Sequence, residues 1–135
     1  MTNIAPVTRV AQDDEGMHAE RPLRPALRRG LMLRCPACGE GHILHHYLKI
    51  HSNCPECGED LSHARADDGP AYFTVLVVAH LVGFTLHFLW SIWRMDPLTM
   101  TILVSVLAVV LSLLLLPRFK GMIVGWQWAK RMHGF

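Results

Sequence analysis

A chain of 135 residues has room for one modest domain, and a net charge of +2 assigns no partner class by itself. The distribution of charge is more informative: residues 1–70 hold eight Lys and Arg, residues 118–135 hold four, and Arg94 stands alone between them. Met1 to Glu20 has no apolar h-region and carries the acidic run Asp13-Asp14-Glu15, which excludes a secretory signal peptide.

Low hydrophobicity without periodicity makes residues 1–20 a disordered tail. Residues 21–34 follow with Arg21, Arg24, Arg28, Arg29 and Arg34, and with Leu23, Leu27, Leu31 and Leu33 between them. Such a segment can lie on anionic headgroups at about 1 kcal/mol per charge, or serve as a solvated basic linker that orients the chain. Pro22 and Pro25 argue against a long helix and favour the linker.

Cys35-Pro36-Ala37-Cys38-Gly39 and Cys54-Pro55-Glu56-Cys57-Gly58 form an internal repeat with fifteen residues between the inner cysteines. Each turn aims two sulfurs at one centre, and its glycine permits a left-handed backbone at the turn's end. Cys35, Cys38, Cys54 and Cys57 together suit one tetrahedral zinc, and the spacing lies in the zinc window. A shell of four thiolates has no open position, so the metal is structural. Rubredoxin-type iron, which uses similar knuckles, is the alternative. A module of residues 35–66 is too small to fold on apolar burial alone, and the ion supplies most of its folding energy. With Lys49 and Arg65 against Glu40, Glu56, Glu59 and Asp60, the module is no nucleic-acid binder. His42, His45, His46 and His51 lie between the knuckles and read as surface or packing residues rather than as a second metal site.

At Ala66-Asp67-Asp68-Gly69-Pro70-Ala71 the chain starts a helix. Asp68 or Gly69 is placed to cap it, and Asp67 and Asp68 are also a candidate polar or partner site. Ala71 to Trp93 then runs 23 residues without a charge, and Leu98 to Leu116 another 19. Crossing a bilayer takes about 20. Their twelve and thirteen Val, Leu, Ile and Phe are worth about −4 to −8 kcal/mol of insertion free energy per segment. Residues 70–93 and 98–116 are therefore expected to be transmembrane helices joined by Arg94-Met95-Asp96-Pro97. The Lys and Arg distribution puts both termini in the cytoplasm. Inside the first helix, His80 and His87 share a face with Ala79 and Gly83. Thr101, Ser105, Ala108 and Ser112 make a matching stripe on the second. The expected arrangement has the imidazoles hydrogen-bonding those hydroxyls; the sharper one has them hold haem or copper. Pro117 is expected to stop the second helix, leaving 117–135 as a basic interfacial tail.

The fold class that follows is a small four-cysteine zinc-ribbon-like module followed by an all-α two-helix transmembrane hairpin. Cys35 to Gly41, Leu48-Lys49, Cys54 to Gly58, Ala66 to Ala71 and then two membrane helices, in that order, resemble the bacterial domain-of-unknown-function family 983 over roughly residues 30–130. The resemblance implies a small, zinc-ribbon-like protein of the bacterial inner membrane. Some members lie near genes for cytochrome c oxidase assembly, which implies a part in building a respiratory complex. No nucleophile elbow, phosphate loop or His-Glu-x-x-His motif is present, so the expectation is a non-enzymatic adaptor or assembly factor. Its partners would be the lipid bilayer and another membrane protein, with no nucleic acid.

Overall fold

The computed structural model describes residues 20–135, so the tail expected over 1–20 lies outside the described residues except for Glu20. Three helices carry the chain: α1 (Leu23–Leu31), α2 (Gly69–Phe88) and α3 (Pro97–Ala129). Between α1 and α2 lies an irregular module. Among the described residues it contains no strand, only isolated antiparallel bridges at Arg34–His42, Leu44–Ile50 and Asn53–Asp60. The ribbon expected there is thus reduced to single bridging pairs.

α2 continues into a π-helical turn at Leu89–Trp93, and Arg94 reverses the chain with a left-handed φ of 44°. Asp96 then starts α3: its carboxylate accepts from the backbone N–H of Leu98 (3.2 Å) and Thr99 (3.4 Å), and Pro97 occupies the first helical position. At the start of α2 no such cap forms. Asp68 is the capping residue by position, yet its side chain makes no cap bond, and Asp67 and Asp68 are both exposed.

The two apolar helices run side by side. α2 with its π turn is 25 residues long and α3 is 33, about 38 Å and 50 Å at 1.5 Å per residue. Only 11% and 6% of their most apolar windows is buried within the protein. Helices so apolar and so uncovered are unlike the core helices of a water-soluble domain, and both are long enough to cross a bilayer of about 30 Å.

α3 does not stop at Pro117. Proline there removes the N–H that would bond the Leu113 carbonyl, four residues back. The Tyr47 hydroxyl, from the irregular module, donates to that carbonyl instead. Prolines persist in apolar helices where the freed carbonyl finds another donor. The helix therefore runs on to Ala129, so residues 117–129 continue α3 rather than forming a separate tail. They form a scaffold in which Gly121, Ile123, Val124, Gly125, Gln127 and Trp128 are buried.

Residues 21–34, expected as a solvated linker, cover that scaffold. α1 lies antiparallel to it, with Arg21 beside Trp128, Ala26 beside Gly125 and Gly30 beside Gly121. The backbones nearly touch: a Cβ on Gly121 would overlap the Gly30 carbonyl, and one on Gly125 would overlap that of Ala26. Pro22 and Pro25 do not prevent this helix. They fall at its N-cap and in its first turn, where the N–H groups have no intrahelical acceptor. The module packs against the same scaffold, joining Cys35, Ile43, Cys54, Leu61 and Ala66 to Ile123 and Val124 in one buried cluster.

Candidate metal centre

The four cysteines converge. Their sulfurs all lie within 4.8 Å of one another, with Cys35–Cys57 and Cys38–Cys54 both at 3.8 Å. A tetrahedral ion with metal–sulfur bonds of about 2.3 Å spaces its sulfurs about 3.8 Å apart, so the cage fits zinc, or an ion of similar size, without rearrangement. Among the described residues this is the one group of His, Cys, Asp and Glu side chains arranged to hold a metal.

The repeat builds the cage twice over. The Gly39 N–H donates to the Cys35 carbonyl (2.8 Å) and the Gly58 N–H to the Cys54 carbonyl (3.0 Å), closing two matching knuckles. Both glycines have left-handed φ, +78° and +76°. The turns are tied at their bases by Cys35 N–H to Gly41 O (2.7 Å) and Cys54 N–H to Glu59 O (2.8 Å). Gly41 lies so near the centre that a Cβ on it would overlap Cys54 Sγ.

Burial and local donors divide the thiols. Burial pushes the Cys35 thiol up to about 12. The Gly41 backbone N–H, pointing at Cys38, brings that thiol down to about 7. A buried thiol with so high a pKa gives up its proton at neutral pH only to a cation that replaces it, which is what a thiolate-bound metal does. Four thiolates on a divalent ion leave a net charge of −2. Arg29 on α1 holds the first knuckle, bonding the Pro36 and Ala37 carbonyls at 2.9 and 3.0 Å. Four sulfurs can fill all four positions of a tetrahedral ion. Cys57 is the most exposed of the four and Cys35 the most buried.

Three contacts clamp the centre to α3. Gln127 and Arg65 exchange two bonds: Arg65 N–H to Oε1 at 2.9 Å and Nε2 to the Arg65 carbonyl at 2.6 Å. Trp128 donates its indole N–H to Glu59 at 2.8 Å, next to the second knuckle. Arg21 stacks over Trp128 at 4.6 Å and pairs with Glu59 at 3.8 Å. In the sequence Arg21, Glu59 and Arg65 read only as charges and Trp128 only as part of an interfacial segment, while Gln127 carries no signal. The one available signal was Gly121-x-x-x-Gly125, the small-residue spacing of close helix contacts.

The structure does not bring the remaining candidates together. His80 and His87 do not face α3: with Ala79, Gly83 and Phe84 they line a shallow open groove on the outer side of α2. His80 Nδ1 bonds the Leu76 carbonyl in its own helix (2.7 Å). The expected hydroxyl partners also turn inward to their own backbone, Thr101 to Pro97 O and Ser112 to Ala108 O, both at 2.8 Å. His45 lies against His46 and His51 with tilted rings and centroids at 4.7 Å, but these rings form no ligand set.

The fold and site define a class: a two-helix hairpin of membrane-crossing length carrying, on the continuation of its second helix, a module whose four cysteines can hold a metal ion. The chain belongs to the family described as "Protein of unknown function (DUF983)", which matches residues 44–128. That match takes in the second knuckle and both long helices, and begins after Cys35 and Cys38. No curated protein and no solved structure matches the chain.

Proposed function

We propose that the chain is a two-pass protein of the bacterial inner (cytoplasmic) membrane, both termini in the cytoplasm, whose zinc module serves as a non-enzymatic adaptor or assembly factor for a membrane complex. A respiratory cytochrome oxidase is the candidate complex. The observation that carries this reading is the rigid seat of the metal module on α3. Gln127, Trp128 and the Tyr47–Leu113 bond fix it to a helix that continues into the apolar span. A partner held by the module is thereby held at a set height above the bilayer. Asp67 and Asp68, exposed where the module meets α2, offer that partner a negative edge.

The test is purification from mild detergent with mass spectrometry of what remains bound, alongside metal analysis. A stoichiometric oxidase subunit with one zinc per chain, lost in D67N/D68N while the zinc stays, supports the adaptor. No retained membrane protein at native expression levels opposes it.

A second reading, haem or copper handling by His80 and His87, has one observation in its favour. Both imidazoles lie on the uncovered face of α2, where ionisable groups in a bilayer are expensive unless something covers them. Haem or copper in the isolated protein, absent from H80F/H87F, would favour it over the adaptor.

A further inference from the structure

α1 and the turn after it bring four arginines to one hollow. Arg24, Arg28, Arg29 and Arg34 line it together with Met32, and among the described residues no carboxylate does. The ion pairs Arg21–Glu59 and His63–Asp60 lie elsewhere. Arg29 and Arg34 are held in position by backbone carbonyls, Arg29 by Pro36 and Ala37, Arg34 by Glu40 at 3.3 Å. Those bonds fix the guanidinium groups without neutralising them. Arg24 and Arg28, one helical turn apart, remain exposed. A preformed group of planar forks suits phosphate oxygens, which arginine grips in pairs of hydrogen bonds.

The hollow also has a direction. α1 runs antiparallel to the α3 extension, so its C-terminal end approaches Arg118, where the uncharged stretch of α3 ends. Met32 is shared with a second hollow lined by Leu31, Leu33 and Arg118. Leu31 and Met32 are 41% and 57% exposed. A cationic seat thus opens onto an apolar strip that leads toward the membrane-crossing surface. That sequence of surfaces matches an amphiphile, a phosphate followed by acyl chains.

We propose that Arg24, Arg28, Arg29 and Arg34 bind the phosphate of one anionic phospholipid headgroup, its chains passing Met32 and Leu31 toward the bilayer. This rests on the membrane reading above. The lipid would fasten α1 to the bilayer surface and fix the tilt of the metal module.

The test uses the full chain in mild detergent, titrated with phosphatidylglycerol and followed by native mass spectrometry. The expected result is one lipid retained per chain. R24Q/R28Q, which leaves the knuckle carbonyls bonded, should bind about 30-fold more weakly, taking each surface arginine near its usual worth. R24K/R28K keeps the charge but loses the paired forks, and its binding should fall between those of the natural chain and R24Q/R28Q. K49Q/K130Q removes the same charge elsewhere and should change nothing. Zinc content confirms folding of each variant. Equal binding by R24Q/R28Q, or an equal loss in K49Q/K130Q, overturns the proposal. So does displacement by millimolar inorganic phosphate, which would make the ligand free phosphate rather than lipid. Failure of the membrane reading shows separately, as chain recovered in the aqueous fraction without detergent.

Discussion

The bond from Tyr47 to the Leu113 carbonyl sets up a cycle of substitutions with a definite sign. In the natural chain that carbonyl has lost its helical donor to Pro117, so Tyr47→Phe leaves a bare acceptor, which on the proposed membrane reading faces lipid. Such a group costs about 1–3 kcal/mol. Pro117→Ala returns an N–H to the helix, four residues on, and makes the tyrosine redundant. The backbone N–H groups of Ile43 (to Leu33 O, 3.0 Å) and His51 (to Ile43 O, 2.9 Å) flank Tyr47 and report its release through hydrogen exchange. Y47F should speed their exchange about 5- to 150-fold, since 1.4 kcal/mol is one decade. In the P117A background the same substitution should speed it less than about threefold. Equal acceleration in both backgrounds would refute the idea that the module supplies the bond that proline removes.

Other outcomes follow from the same contacts. G41A would push a methyl group into Cys54 Sγ and should weaken metal retention against a chelator, whereas G58A meets nothing within 4 Å and has only its left-handed φ to strain it, about 1–2 kcal/mol, so it should keep its metal. G125V would drive α1 off the scaffold, because Ala26 backbone already sits where the new side chain begins; overpacking of this kind costs about 1–3 kcal/mol, read as faster tryptic cleavage at Arg28 and Arg29. Metal binding displaces the proton of Cys35 throughout the neutral range, its thiol lying at about 12. Cys57, whose thiol burial also raises, gives up its proton there as well, and Cys38, at about 7, adds a further displaced proton only below that pH. Apparent metal affinity therefore falls as pH falls, and the slope steepens by about one further decade per unit below pH 7, measurable by competition with a chromophoric chelator.

Much of this was legible because the signals were local. Two Cys-x-x-Cys-Gly turns state their own geometry, and two uncharged runs state their own length. The long-range pairings left no such trace. Pro117 reads as a helix stop until Tyr47, 70 residues earlier, is known to serve Leu113. Arg21 to Arg34 read as a linker because the groove that receives α1 is made of Gly121 and Gly125, almost 100 residues away. The histidines of α2 were placed toward α3 from their small neighbours, but Thr74, Val78 and Leu89 are the residues buried on that side. Helix rotation is decided by such packing rather than by which stripe looks most polar. Asp68 had the position of a cap but not its backbone: its φ of −88° and ψ of −24° are already helical.

That one ion folds the module onto the long helix is tested most directly by metal counting with thiol labelling on the same purified sample. One zinc per chain is predicted, with Cys35, Cys38, Cys54 and Cys57 unreactive to maleimide until a chelator or denaturant is added. A folded, metal-free chain whose four thiols all label at once would contradict it.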